Sequence, residues 1–307
     1  MSRLLLTGAT GLIGAELIPL LRRAGHEVHA VSARSGPADG APGGASSGEA
    51  TAWHRCNLRD GAATRALVAD VGPELLVHLA WSRPGSAHEE EDEGWVTAGV
   101  ELWDAFAAGG GRRALVAGTS AEYEWSRPLL GEDSPVLPGS AYGRAKASLH
   151  ERLRERSDRD GVALAWPRLF WAYGAEPDSP RLVPSVARAL VEGRPVATTD
   201  GLQVRDYIHA SDAASALAAI LEAEIDGPVN VGSGEGTPVV ELLRTLERLG
   251  GREGEHLIEI GAIPRRPGDP PELVADVSRL RGIGWQPATD LDAGLAATLE
   301  RTRELLG

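Results

Sequence analysis

Short apolar runs alternate with amphipathic stretches from the first residues onward. Arg3 to Thr7, with Leu4-Leu5-Leu6 at its centre, reads as a buried strand. A helical run follows from Ile13 to Arg23. Glu27 to Ser32, Thr51 to Cys56 and Glu74 to Leu79 read as the next three strands. A helix from about Trp95 to Ala108 sets Val96, Val100, Trp103 and Ala107 along one stripe. The acidic run Glu89 to Glu93 before it is a solvated loop or a helix start. Arg113 to Gly118 is the fifth strand, a helix starts near Tyr142 and runs to about Glu155, and Val162 to Pro167 is the sixth strand. Strands alternating with helices predict an α/β chain: a doubly wound parallel sheet with right-handed crossovers.

After Pro167 the rhythm is less regular and richer in Pro and Gly. Leu182 to Glu192, Ser211 to Glu222, Val239 to Leu249 and a final stretch from about Leu291 read as helices. Val204 to His209 and Val229 to Gly234 read as strands. The expected division is a first domain over 1–167 plus about 200–224, and a smaller α/β lobe over 168–199 and 225–307.

The first strand runs into Thr7-Gly-Ala-Thr-Gly-Leu-Ile-Gly14 and then into a helix. Strand, glycine turn and helix form the context of a dinucleotide-binding motif. Gly8 permits the tight turn, Gly11 lets backbone approach a pyrophosphate, and Gly14 lets helix pack on strand. Free N–H groups at the helix start would meet the phosphates. At the end of the second strand an acid would bond the ribose 2′-OH of NAD, whereas an arginine suits the 2′-phosphate of NADP. This chain has Ser32-Ala-Arg34 and no acid. Ser35 to Gly48 is rich in Gly, Ala, Ser and Pro and reads as a mobile loop.

Lys146 is the only lysine in a chain whose Lys and Arg together number 31. Where arginine serves everywhere else, one retained lysine marks a place where a compact, movable ammonium is needed. Tyr142 lies four residues before it, on the same face of a helix. A cation beside a phenol favours phenolate, which makes the tyrosine a usable acid or base near neutral pH.

Composition narrows the partners. A net charge of −13 and a pI of about 5.1 disfavour nucleic acid and anionic membranes. Cys56 is the single cysteine, so no intramolecular disulfide can form and a reducing compartment is expected. No apolar run is long enough to span a membrane. A cytoplasmic location and no metal site are expected.

Taken in order, Thr7-Gly-x-x-Gly-x-x-Gly14, the Ser120/Tyr142/Lys146 set, Arg168-Leu-Phe, Arg205-Asp-Tyr-Ile-His209, Asn230-x-Gly-x-Gly234 and Arg266-Pro-Gly-Asp269 resemble the extended short-chain dehydrogenases/reductases of the NAD-dependent epimerase/dehydratase group, which act on nucleotide sugars. The resemblance covers nearly the whole chain and implies a Rossmann-like fold. It implies that Ser120 bonds the substrate oxygen, Tyr142 moves the proton, and Lys146 binds the nicotinamide ribose. Cofactor contacts are implied at Gly8, Thr10, Gly11, Leu12, Ile13 and Gly14, at Ser32 and Arg34, and at Asn57 and Leu58. Leu79, Ala80, Trp81, Tyr142, Lys146 and Leu169 complete them. Trp81, Glu122, Arg181, Leu182, Arg205, Arg266 and Asp269 are implied on the substrate side, the two arginines at a diphosphate.

Several positions depart from the family pattern. Ser32 replaces the ribose-reading acid, and Asn57 replaces an Asp near the adenine. Val96 stands where many members carry Asn. Ala121 replaces the Asp that protonates a leaving hydroxyl, so dehydration is not expected. Three readings follow. An NADPH-dependent reductase of a nucleotide-bound keto-sugar, such as a 4-keto-6-deoxyhexose, is favoured by Ser32 and Arg34, with NADP(H) over NAD(H). A nucleotide-sugar epimerase with tightly bound NAD is the alternative. A non-catalytic dinucleotide sensor is the third. A homodimer is expected through the Val96/Val100/Trp103 stripe and the helix after Tyr142.

Overall fold

The computed structural model describes residues 2–33, 51–81, 89–176 and 178–307. Arg34 and the Ser35 to Gly48 loop lie outside the described residues. The chain divides into two compact units. The first holds residues 1–124, 135–169 and 214–229, and the second holds 125–134, 170–213 and 230–307.

The first unit is built on a parallel sheet. Its strands include β1 (Arg3–Thr7), β2 (Glu27–Ser32), β3 (Ala52–Arg55), β4 (Leu75–His78) and β5 (Arg113–Val116). Across the sheet the order runs Gly227–Val231, Ala163–Leu169, β5, β4, β1, β2, β3, and the short β6 (Gly118–Thr119) also pairs with Ala163–Leu169. Helices α1 (Leu12–Arg23), α2 (Gly61–Val71), α3 (Glu89–Ala108) and α4 (Ala141–Asp160) pack on both sides. A strand covered on both faces is apolar at successive positions rather than alternate ones. Leu4, Leu5 and Leu6 are accordingly all fully buried. The chain leaves β1 toward β2 on one side and reaches β4 on the other, so the strand order reverses at the carboxyl end of β1, where ligands sit in open α/β sheets.

Pro167 lies inside the strand that was expected to end there. Proline has no N–H to give a ladder. The strand pairs with β5 up to Ala165 and with β6 from Arg168, so Pro167 falls in the gap between the two pairings. Helix α4 runs past Glu155 to Asp160 and stops at Gly161, which takes a left-handed φ of 68°. The acidic run is the first turn of α3.

The apolar stripe of α3 faces inward. Val96 and Trp103 are buried among Leu102, Phe106, Leu149 and Leu153, with Val100 and Ala107 packed against them. This corrects the expectation that Val96 and Trp103 form a surface for a second copy, because an indole closed off by its own core has no face left to offer.

The second unit has its own core. Helices α5 (Leu182–Glu192) and α6 (Val239–Gly250) and the C-terminal helix Leu291–Leu306 bury Val186, Leu190, Leu242, Leu243, Leu246, Leu295 and Leu299 together. The expected strand over Val204 to His209 is two, Val204–Arg205 and Tyr207–His209, broken at Asp206. The buried Asp206 carboxylate accepts from the backbone N–H groups of Ser233, Gly234 and Ala275 and from the Ser233 hydroxyl. Burial still pushes its pKa up. Leu129–Leu130 pairs with Val274 and Ala275, which draws residues 125–134 into this unit.

Candidate active site

The glycine turn is shaped by close backbone approaches. Gly8 has φ of 72°, and a Cβ on it would lie 2.7 Å from the Ala80 nitrogen. A Cβ on Gly14 would lie 2.2 Å from the Gly8 carbonyl oxygen, so α1 begins hard against the turn. A Cβ on Gly11 would meet only the Gly8 carbonyl oxygen, at 3.2 Å, among the described residues. Gly11 is also the N-cap of α1 and offers no side-chain acceptor to the first N–H groups. An open cradle with uncapped donors and no acid in the first helical turn fits a pyrophosphate.

Around this turn, Leu79, Ala80 and Trp81 follow β4. Thr7 Oγ1 sits 2.6 Å from His78 Nδ1 and accepts from the Ala80 N–H. His78 is buried, its Nε2 has no hydrogen-bond partner among the described residues, and burial followed by the Lys146 charge pulls its pKa down to about 3. It is a neutral imidazole at any ordinary pH. Ser32 is buried at the end of β2. Asn57 is exposed and accepts from the Arg59 N–H. Leu58 is buried in the core beneath the sheet, so its side chain is committed there and only its backbone can meet a cofactor. Thr10 is exposed, Leu12, Ile13 and Leu169 are half-buried, and Arg34 is outside the described residues.

The catalytic candidates converge within the first unit. Ser120 opens a single 3-10 turn, Ser120–Glu122, capped by Thr119. Ser140 caps α4 by accepting from the Gly143 N–H. A Cβ on Gly143 would lie 2.2 Å from the Ala121 carbonyl oxygen, so the turn carrying Tyr142 rests directly on the turn carrying Ser120. One turn along α4, the Lys146 ammonium donates to the Ala117 carbonyl at 2.8 Å and lies 3.8 Å from the centre of the Trp81 indole. The Tyr142 ring meets the same indole edge-on at 6.2 Å. Burial pulls the Lys146 pKa down to about 7, against the opposing pull of Glu122 and Asp92.

Glu122 is corrected. Its expected place was on the substrate side, but it is completely buried. Its carboxylate accepts from Trp166 Nε1, from Arg168 Nε at 2.8 Å and from the Thr119 N–H. A carboxylate closed into an ion pair shapes the turn from behind and cannot reach a sugar. Ala117, Gly143, His78 and Asp92 went unread as site residues. A glycine in the first turn of a helix was a signal for Gly143; Asp92 looked like its acidic neighbours until burial set it apart.

On the substrate side, all within the second unit, Arg205 is buried and donates to Asp269 at 2.7 Å and to the Val204 carbonyl. Its guanidinium lies 5.3 Å from the Trp171 ring centre. The Asp269 N–H bonds the Arg266 carbonyl, so these three positions share one corner. Arg266 is exposed. Arg181 is the exposed N-cap of α5 and Leu182 its half-buried first residue. Among the described residues no group of three or more His, Cys, Asp or Glu is placed to hold a metal, and no helix is long and apolar enough to cross a membrane.

Residues 4–232 match the model of the NAD dependent epimerase/dehydratase family. The chain belongs to that family. It is an NAD(P)-dependent enzyme of the extended short-chain dehydrogenase/reductase type. It is 30% identical to the UDP-glucose 4-epimerase of Corynebacterium glutamicum over 94% of this chain and 92% of that protein. A second relative, the UDP-glucose 4-epimerase of Azospirillum brasilense, is 32% identical over 63% of this chain and 61% of its own length. Among solved structures, the Thermus thermophilus UDP-glucose 4-epimerase in complex with NAD superposes with a TM-score of 0.86 at 25% identity, covering 98% of this chain and 99% of that one. MoeE5 in complex with UDP-glucose and NAD gives 0.84 at 28% identity, covering 99% and 100%.

Proposed function

We propose that the protein is a nucleotide-sugar 4-epimerase that works with resident NAD. The reading is carried by one combination: Tyr142 and Lys146 gathered on the Trp81 indole with the Ser120 turn against the start of their helix, in a chain whose likeness to a UDP-glucose 4-epimerase runs nearly end to end. It replaces the keto-sugar reductase as the first reading, since the relatives and the NAD-bound neighbours support the epimerase better.

NAD, when bound, supplies a reversible hydride acceptor. The first N–H groups of α1 would hold its pyrophosphate, and Lys146 would hold the nicotinamide ribose. Tyr142 would take the proton from the sugar C4 hydroxyl and return it to the same oxygen. The Ser120 hydroxyl donates to that oxygen. The Lys146 ammonium keeps the phenolate accessible. Arg205 and Arg266 hold the substrate diphosphate, a use of guanidinium forks that two internal bonds on Arg205 do not exhaust. Asp269 serves the ribose, and Arg181 with Leu182 meets the base. UDP-glucose is the first substrate to try.

An epimerase returns every hydride and has no need to release its cofactor, whereas a reductase must exchange it at each turnover. The purified protein, denatured in acid, should therefore release close to one NAD per chain. Protein that emerges empty and binds NADPH reversibly would count against the epimerase. Ser32 favours that second reading, because β2 ends without a carboxylate. Under it, Ser32→Asp should shift preference from NADP toward NAD in a direct binding titration.

A further inference from the structure

We infer that Trp81 is a positioning residue: its indole face holds the Lys146 ammonium beside the Tyr142 phenol, and Asp92 fixes the indole in that pose. The inference rests on the catalytic reading of Tyr142 and Lys146 given above.

The geometry is specific. Trp81 Nε1 donates to Asp92 Oδ1 at 3.1 Å, and Asp92 is itself buried. Trp95 stacks on the indole at 6.1 Å. The ring is thus held at its nitrogen and on a face. Lys146 Nζ lies 3.8 Å from its centre, with the Ala117 carbonyl accepting one of the ammonium's three protons. Tyr142 meets the same ring edge-on. One side chain therefore touches both members of the pair that moves the proton.

The physical need is plain. Lys146 is 3% exposed, and a buried ammonium is costly without compensation. The face of an indole carries negative potential and attracts a cation, most strongly where water is excluded. Among the described residues, Glu122 and Asp92 act on Lys146 and favour its charge, and His78 is neutral. Without the π face the ammonium form loses ground, and the phenolate loses its cation. A merely space-filling Trp81 would be matched by any apolar side chain of similar bulk, and this distinction makes the inference testable.

Because Lys146 is the only lysine, protein grown on lysine labelled at the ε carbon and nitrogen gives a single side-chain resonance. In the purified wild type, with whatever cofactor it retains, the ε-methylene should be shifted upfield by the indole ring current. Trp81→Leu should abolish that shift and lower the Lys146 titration midpoint by about one unit. Trp81→Phe keeps a π face and should hold the midpoint within about 0.3 unit, a remainder set by the weaker ring. In the epimerisation assay, the midpoint of the acid limb of kcat/KM should rise in the Leu variant and stay in the Phe variant. Equal shifts in Leu and Phe, or none in either, would overturn the inference. So would an unshifted ε-methylene in the wild type, which needs no variant to fold. The resonance reads Lys146 whether or not any sugar is turned over, so failure of the epimerase reading and failure of this inference are separable.

Discussion

Tyr142 is 38% exposed while Lys146, one helical turn on, is almost sealed from solvent. That contrast suits a phenol that meets substrate and an ammonium that works from beneath it. Tyr142→Phe should cut turnover by about 10²–10⁴-fold, the usual worth of one proton-transfer group, while NAD content stays unchanged. Lys146→Arg should fail comparably although the charge is kept, because a planar fork does not fit between the Ala117 carbonyl and the Trp81 ring; steady-state kinetics on both variants checks this. His78 gives a pH test. Its pKa falls from 6.5 to about 3 on burial, so the unfolded chain takes up a proton that the folded one refuses. Its contribution to stability is full above pH 6.5 and is lost as pH drops toward 3, at a slope of at most about 1.4 kcal/mol per pH unit. His78→Gln should flatten that part of the acid-denaturation curve, as followed by urea midpoints across the range. At this scale the sequence was readable where a residue was rare: a single lysine announced itself. His78 and Asp92 were not, because burial is a property of the fold and leaves no local mark.

The site depends on two turns resting on each other. Gly143→Ala would set a methyl against the Ala121 carbonyl and lift the start of α4 from the Ser120 turn. Activity should fall by about 10²-fold, the order expected when a catalytic group moves by about an ångström. Stability should fall much less, since the rest of α4 stays packed; paired kinetics and melting curves separate the two. The Ser120 turn is braced from behind by the buried Glu122–Arg168 pair. Glu122→Gln leaves an uncompensated guanidinium and should cost about 3–5 kcal/mol, measured by denaturant unfolding. The elements themselves were largely legible. Periodicity placed α5, α6 and the six sheet strands of the first half close to where they lie. It failed at Asp206, where a carboxylate taken up by three backbone N–H groups splits one expected strand into two. It failed again at Pro167, whose missing N–H is harmless only because the neighbouring strand is itself interrupted.

Across the whole chain, the alternation of strand and helix was enough to forecast the parallel sheet. The division of the chain was less accessible. Residues 125–134 join the second unit through a pairing of Leu129 and Leu130 with residues far along the sequence, and no local pattern signals it. The stripe on α3 misled for a related reason: amphipathicity says that a face is buried, not what buries it. The choice between epimerase and reductase also lay beyond the residues, because both chemistries use the same serine, tyrosine and lysine. The account therefore rests on one measurement. Purified enzyme is mixed with UDP-glucose, with no cofactor added, and the sugar is followed by proton NMR. The expected result is the C4 epimer appearing until the two sugars reach equilibrium, with no net oxidation or reduction, and none of it with Tyr142→Phe. A sugar left untouched by cofactor-loaded enzyme, alongside NADPH consumption when a nucleotide 4-keto-sugar is supplied, would contradict it.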